Sequence, residues 1–176
     1  MIIDINILLA WGAVYKKVGC GEVIFSEGSE CSYYNQLVSG IVKWVNIDDG
    51  GKECIQTMIE PGECFGELPL FDDGLYAASA IAEEDVVLIR LRKNTFLQLI
   101  KEHNEIHFAF TKLLAKRVRF KFLLLKSIAY HAPEVRITVL LGYLKKENKN
   151  KNKVKCHDYN PSKKLKSDLR YATILC

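Results

Sequence analysis

Short apolar runs separated by turn residues fill the first half of the chain. Between Val14 and Arg92, β-branched and aromatic residues alternate with polar ones or form short blocks, which is typical of β-strands. Five runs are predicted as strands: residues 23–25, 34–38, 41–47, 54–59 and 86–91. The turns between them contain glycines, which adopt the positive φ that tight turns need: Gly21, Gly28, Gly40, Gly51 and Gly62. This spacing of strands and turns predicts a sandwich or a small barrel.

The apolar period becomes helical after Arg92, and residues 93–127 contain no proline or glycine. Asn104 is predicted as the helix N-cap, with Glu105 near the positive end of the helix dipole. One apolar stripe is Ile106, Phe110, Leu113, Arg117, Phe120 and Leu124, and a second is Leu114, Val118, Phe122, Leu125 and Ile128. Because one small domain buries one stripe of a helix, the second stripe predicts a partner helix from a second copy of the chain.

Two segments carry a resemblance to a known family. Residues 65–71 (Phe-Gly-Glu-Leu-Pro-Leu-Phe) and 76–80 (Tyr-Ala-Ala-Ser-Ala) resemble the phosphate-binding cassette of cyclic-nucleotide-binding domains, in particular those of the Crp/Fnr family of bacterial transcription regulators. Residues 17–28, 37–43 and 61–67 match the glycine-containing segments of that family in order and spacing.

The resemblance implies an α+β fold with three parts. Residues 1–102 form an N-terminal double-stranded β-helix (a jelly roll, the effector domain), 103–131 a long dimerisation helix, and 132–176 a small partial winged-helix-type domain. Cupin enzymes share the jelly-roll architecture but mount a metal on clustered histidines. Residues 1–102 contain no histidine, which argues against that alternative.

The same resemblance implies an effector pocket of Phe65, Gly66, Glu67, Leu68, Ala78, Ser79, Ala80 and Lys121. Glu67 matches the family's ribose acceptor and Ser79 its phosphate-contacting serine, whereas Ala78 stands where nucleotide-binding members carry an arginine. Loss of that arginine–phosphate contact costs on the order of several kcal/mol. Lys121 and Phe122 also replace the Thr and Ser that contact adenine in cAMP-binding members. We therefore expect no response to cAMP. Two outcomes stay open: a different anionic effector near Lys121, or a pocket that is vestigial or filled by side chains.

The family's dimer helix places the expected homodimer interface at Phe110, Leu113, Arg117, Phe120 and Leu124. Beyond it, residues 133–144 resemble the first helix of a winged helix-turn-helix domain, and 161–169 approximately resemble the opening helix of the helix-turn-helix. Residues 170–176 do not resemble the family's Gly-Leu-x-x-Glu-Thr-Val-x-Arg recognition segment, and we expect no wing within these 176 residues.

Charge divides unevenly along the chain. Residues 1–144 hold 15 Lys+Arg against 18 Asp+Glu, and residues 145–176 hold 10 against 3. A basic end suits contact with a polyanion, so DNA is the expected partner, and a solvated lysine-rich linker is the alternative for residues 145–155. The expected DNA-contacting residues are Lys163, Lys164, Lys166 and Arg170.

Other functional classes find little support in the sequence. The six cysteines fall at no metal or redox spacing, and His103 with His107 has no third ligand nearby, so we expect reduced thiols, no cofactor and no metal. No apolar run is long enough to span a bilayer, and no catalytic constellation is evident, so we expect a cytoplasmic protein that is not an enzyme. Two functions remain: a homodimeric DNA-binding transcription regulator, or a stand-alone dimeric sensor or protein-interaction module that has lost DNA reading.

Overall fold

The computed structural model describes residues 2–48, 50–130 and Gly142. This part of the chain contains the following elements: α1 (Ile5–Ala10), β1 (Val14–Val18), β2 (Val23–Phe25), β3 (Tyr33–Ser39), β4 (Val42–Ile47), β5 (Glu53–Ile59), β6 (Cys64–Phe65), α2 (Leu68–Asp72), β7 (Ser79–Ala82), β8 (Val86–Arg92), α3 (Lys93–Glu102) and α4 (Asn104–Tyr130). The chain divides into two compact units, Met1–Thr111 and Lys112–Cys176.

The strands form two four-stranded sheets, with the orders β1-β8-β3-β6 and β2-β7-β4-β5. Every strand pair is antiparallel. The fold is therefore an antiparallel, jelly-roll-like β-sandwich followed by a helix, which confirms the β-roll expected from the sequence. The winged-helix-type domain expected over residues 132–176 lies, apart from Gly142, outside the described residues.

The inner faces of both sheets supply the core of the sandwich. Period-2 alternation turns one side of each strand inward, and the buried side chains interdigitate between the sheets. These core residues are Val18, Leu37, Val42, Ile59, Phe65, Ala80, Ala82, Val86 and Leu88. Five of the tight-turn glycines have positive φ as expected, and at Gly40 a side chain would also collide with Asp85 and Val86.

The segment before β1 contains the short helix α1. The buried side-chain amide of Gln36 forms hydrogen bonds with Ile3, which precedes this helix. Asp4 caps α1 by accepting a hydrogen bond from the Asn6 backbone N–H at 2.8 Å. The Gln36 side chain donates to the Ile3 carbonyl at 3.0 Å, and its Oε1 accepts from the Ile3 backbone N–H at 3.3 Å. The Tyr34 hydroxyl donates to the same Oε1 at 2.6 Å. This network satisfies a polar side chain that is fully buried.

The helical segment after β8 contains two helices, and the long one starts within one residue of the position predicted by the Asn104 cap. α3 and α4 meet at His103, whose φ of −119° and ψ of 83° leave the helical region. The helix expected to be capped by Asn104 instead begins at Asn104, and the His103 carbonyl accepts hydrogen bonds from the backbone N–H groups of Ile106 and His107. His103 therefore precedes the helix that carries His107, and its Nδ1 lies 3.0 Å from Glu105 Oε1.

The start of α4 packs into an aromatic cluster in the first unit. Phe110 is fully buried, with its ring centroid 5.9 Å from that of Tyr34, 5.4 Å from Phe96 and 5.6 Å from Phe71. Tyr34 and Phe96 are themselves stacked, with centroids 4.9 Å apart. Phe110 was expected in the dimer interface, but these contacts bury it within its own chain and leave it unavailable to a second subunit.

Candidate effector pocket

The cassette backbone turns sharply between β6 and α2. Gly66 follows Phe65 with a φ of +65°, a conformation that residues with a side chain rarely adopt. A Cβ at this position would lie 2.6 Å from Phe25 Cζ and 2.8 Å from Tyr76 Cε1. Glycine is therefore required both by the turn and by the rings that press against the backbone.

Two aromatic rings occupy the space beside this backbone. Phe25 and Tyr76 stack with their centroids 3.7 Å apart and their planes 8° apart, and Phe25 also stacks on Phe65 at 5.8 Å. Phe25 also pairs with Ala80 in the β2–β7 ladder. Phe25 therefore contacts both cassette segments, Phe65 in the first through its ring and Ala80 in the second through its backbone. The structure thus brings Phe65, Gly66 and Ala80 together around aromatic side chains.

Tyr76 is held in place by its backbone as well as its ring. Its N–H donates to the Ser29 carbonyl at 3.0 Å, and its carbonyl accepts from the Gly28 N–H at 2.8 Å. Its hydroxyl donates to Cys31 Sγ at 3.1 Å. Burial raises the pKa of the Tyr76 hydroxyl well above its usual range, with a further contribution from Cys31. The side chain is therefore a neutral, fixed part of the sandwich.

Phe25 and Tyr76 were not among the residues predicted for this site. The signal available in the sequence was the bulky Tyr76 two residues before Ala78, the position where the family's nucleotide-binding members are expected to carry an arginine. Ala78 itself is buried and contributes no charge. The position expected for a phosphate-binding cation therefore holds a buried, uncharged side chain.

The two polar cassette residues predicted for the pocket, Glu67 and Ser79, are a buried residue and a residue hydrogen-bonded to the backbone. Ser79 Oγ accepts a hydrogen bond from the Glu27 backbone N–H at 2.9 Å. Glu67 is fully buried at the start of α2. Burial, then the charges of Cys64 and Glu67, raise the pKa of Tyr34, so the Glu67 carboxylate acts on the tyrosine of the aromatic cluster. Leu68, the next cassette residue, is 40% exposed.

The remaining residues predicted for function lie on α4 or beyond it. Lys121 is exposed on α4 in the second unit. Leu113, Arg117, Phe120 and Leu124 are half-buried on the same helix. Lys163, Lys164, Lys166 and Arg170 lie outside the described residues.

The other predicted apolar stripe of α4 faces outward. Val118 is 54% exposed, Phe122 67% and Leu125 63%, and the three follow a spacing of four and three residues. Leu114 in the same stripe is half-buried. Residues with this spacing lie on one helix face, so α4 presents a continuous apolar surface.

The described part of the chain has neither a metal-binding cluster nor a membrane-spanning helix. It contains no group of three or more His, Cys, Asp or Glu side chains arranged to hold a metal ion. Its four cysteines, Cys20, Cys31, Cys54 and Cys64, form no disulfide with one another. None of its helices combines the length and the apolar character needed to cross a membrane.

Comparison with known proteins gives the family. The model of the cyclic nucleotide-binding domain matches residues 15–103, just over half of the chain. The Cyclic AMP receptor protein of Thermus thermophilus is 32% identical over 121 residues, which cover 69% of this chain and 56% of that protein. The CRP-like cAMP-activated global transcriptional regulator of Mycobacterium tuberculosis is 29% identical over 99 residues, 56% of this chain and 44% of the regulator.

The structural comparison agrees with these matches. The crystal structure of the Thermus thermophilus Catabolite Activator Protein superposes with a TM-score of 0.66 at 29% identity, covering 81% of this chain and 67% of that one. The chain spans about half the length of the curated relatives it matches. It belongs to the cyclic nucleotide-binding domain family, and its relatives there include CRP-like transcriptional regulators.

Proposed function

We propose that the chain is a homodimeric, cytoplasmic, DNA-binding transcription regulator of the Crp/Fnr type whose effector domain does not respond to cAMP. One observation carries the proposal: a β-roll of this family continues into a 27-residue helix that leaves Val118, Phe122 and Leu125 exposed. An apolar surface of this kind on a helix is the mark of an association site. A second copy of the same helix is the simplest partner, because closed two-fold dimers are the commonest oligomers.

The proposed DNA contact rests on charge. A two-fold dimer carries two copies of the basic segment over residues 145–176, where 10 Lys+Arg stand against 3 Asp+Glu. Lysine and arginine side chains bind DNA phosphates with a strong dependence on salt. Lys163, Lys164, Lys166 and Arg170 are the proposed contacts, and a two-fold symmetric DNA site is the proposed target.

The lack of a cAMP response is supported by two features of the cassette. Ala78 supplies no guanidinium where the family's nucleotide-binding members place one. The Phe25 and Tyr76 rings lie against the Gly66 backbone, where a ligand phosphate would need close approach to main-chain donors. Loss of the charged pair and occupation of the space act in the same direction, since both weaken binding of a cyclic phosphate.

DNA binding is tested by fluorescence anisotropy with duplex DNA from upstream of the protein's own gene, at two salt concentrations and with excess random duplex. The proposal predicts binding that resists the competitor. The double variant Lys163→Gln/Lys164→Gln should weaken it, whereas Lys149→Gln/Lys151→Gln, which removes the same charge from the lysine–asparagine run, should have the smaller effect. Equal affinity for specific and random duplex at both salt concentrations would refute DNA reading.

A stand-alone dimeric sensor or protein-interaction module is the second candidate. The observation that favours it is the lack of resemblance between residues 170–176 and the family's recognition segment. Direct readout of bases requires side chains that reach the base edges in a groove. In this case the anisotropy experiment would show only weak binding that salt and competitor abolish, while the chain would still be a dimer.

A further inference from the structure

We propose that the inner face of the β1-β8-β3-β6 sheet, beside the Phe25–Tyr76 ring pair of the cassette, holds a binding site for a small oxyanion, a phosphate or a short carboxylate. The proposal goes beyond the function proposed above and depends on neither DNA binding nor dimerisation. It rests on a cleft of about 200 Å³ in the first unit. Lys16, Arg90 and Asn35 line this cleft together with the rings of Phe25 and Tyr76.

Strand register explains how two cations come to face the inside of the sandwich. On one sheet, Lys16 pairs with Leu88, and Arg90 pairs with Asn35. Paired residues lie on the same face, as do residues two apart on one strand, so these four side chains share the inward face. Leu88 is fully buried in the core. The inner face thus changes from apolar at Leu88 to cationic within two residues.

Protection of a sheet edge does not account for this arrangement. An inward-pointing lysine on an edge strand is a common device against unwanted strand pairing, and Lys16 lies on the edge strand β1. Arg90, however, lies on β8, which has β1 on one side and β3 on the other. A cation on the inner face of a central strand is costly to bury and calls for a partner.

Arg90 is held in position for binding. Its Cζ lies 4.5 Å from the centroid of the Tyr33 ring, a cation–π contact that limits the motion of the guanidinium. Its buried Nε has no hydrogen-bond acceptor within the described part of the chain. The planar guanidinium donates in pairs to carboxylate or phosphate oxygens, so it suits an oxyanion better than a lone ammonium does.

The charges around the cleft favour an anion. The ion pairs in the described residues are Lys43–Glu53, Lys93–Asp73 and His103–Glu105, and they include neither Lys16 nor Arg90. Glu30 is the one acidic residue that lines the cleft, and it is exposed. Lys16 and Arg90 carry two positive charges and Glu30 one negative charge, so the cleft has a net charge of about +1 that an anionic ligand would neutralise.

The size of the cleft sets the class of ligand. Sites for drug-sized ligands enclose about 300–1,000 Å³, so a cleft of about 200 Å³ suits a smaller molecule. The aromatic wall of Phe25 and Tyr76 and the buried Asn35 amide add apolar contact and one neutral hydrogen-bonding group. We infer a phosphate or a carboxylic acid of few carbons rather than a nucleotide.

The test is an NMR titration of the ¹⁵N-labelled chain with inorganic phosphate and, separately, with succinate, against sodium chloride at equal ionic strength. The proposal predicts saturable amide shifts confined to β1, β3, β8 and the segment around Tyr76, with one of the two anions. Lys16→Gln and Arg90→Gln should each weaken binding at least fivefold. Lys17→Gln, on the opposite face of the same strand, should leave the affinity within twofold of the wild type.

Two results would refute the proposed binding site. One is shifts that never saturate with either anion, or that sodium chloride reproduces. The other is equal weakening by Lys16→Gln and Lys17→Gln, which would mean general attraction to a basic surface. Should Arg90→Gln fail to fold, Arg90→Lys retains the charge without the paired donors and should bind with intermediate affinity, and the Lys16 and Lys17 pair decides the question alone.

Discussion

The ring of Tyr76 lies parallel to the ring of Phe25 at a centroid distance of 3.7 Å, and both rings press on the backbone of Gly66. This contact joins the two halves of the family's phosphate-binding cassette through side chains instead of through a ligand. The cassette of this chain combines the backbone turn at Gly66, the buried Glu67 and the bonded Ser79 with the Phe25–Tyr76 ring pair. The stability of the domain should therefore depend on the Phe25 and Tyr76 rings and on Gly66.

Substitution of Gly66 tests the close approach of the rings. Gly66→Ala should destabilise the domain by about 1–3 kcal/mol more than Gly21→Ala, because overpacking adds to the cost of a positive φ. Gly21 is the matched control, since its φ is +80° and a Cβ there would meet nothing within 4 Å. Urea unfolding followed by circular dichroism gives both values. Equal losses in the two variants would show that the rings can move aside.

Truncation of Tyr76 tests the aromatic filling itself. Tyr76→Ala removes a buried ring and should cost about 3–5 kcal/mol of unfolding free energy. Tyr76→Phe keeps the stacking on Phe25 and loses only the hydrogen bond to Cys31, which should cost about 0.5–1.5 kcal/mol. Thermal and urea unfolding distinguish the two. A Tyr76→Ala variant as stable as Tyr76→Phe would contradict a structural role for the ring.

Alkaline pH should destabilise the domain through Tyr34 and Tyr76. The pKa of each hydroxyl is raised in the folded state, mainly by burial, whereas an unfolded tyrosine ionises near pH 10. Their stabilisation is therefore complete below pH 10 and is lost as the pH rises above it, by up to about 1.4 kcal/mol per pH unit for each tyrosine.

The pH prediction is checked by urea midpoints measured between pH 8 and pH 11. Tyr34→Phe should lower stability at pH 8 but flatten the loss at higher pH. Tyr15→Phe removes a hydroxyl from an exposed side chain and serves as the control. An unchanged slope in Tyr34→Phe would mean that other groups cause the alkaline loss.

Substitution on the outward face of α4 tests the proposed dimer. Phe122→Glu places a charge in the centre of the exposed apolar stripe and should weaken self-association at least about tenfold, because a charge in an apolar interface must be desolvated. Arg119→Glu changes an exposed residue of the same helix outside the stripe and should have the smaller effect. Sedimentation equilibrium measures both. A wild-type chain that stays monomeric would contradict the dimer directly.

The sequence predicted the sandwich well because strands with β-branched residues and positive-φ glycines are local signals. Three strands, β1, β6 and β7, were not predicted. β6 has only two residues, and β7 is rich in alanine, so neither shows a strand pattern, and both form because the sheets provide pairing partners. The N-cap predicted at Asn104 placed the start of the long helix within one residue of its observed position, because a capping residue is a local signal.

The pocket was harder to predict because it depends on contacts distant in sequence. Ala78 indicated a missing cation, but Phe25 and Tyr76 are 51 residues apart (25 to 76), and only the fold shows that their rings stack. Phe110 matched the heptad seam expected for a dimer helix, but the aromatic cluster with Tyr34 and Phe96 buries it within its own chain. The inward cations Lys16 and Arg90 follow from strand register, which the sequence alone does not fix.

Isothermal titration calorimetry with cAMP tests the central claim most directly. With Ala78 in place of an arginine and the Phe25–Tyr76 pair against Gly66, we predict no saturable binding up to about 1 mM cAMP. Saturable binding at micromolar cAMP that is lost in Glu67→Gln would contradict the account. It would show that another cation replaces the arginine and that the aromatic pair opens to admit the ligand.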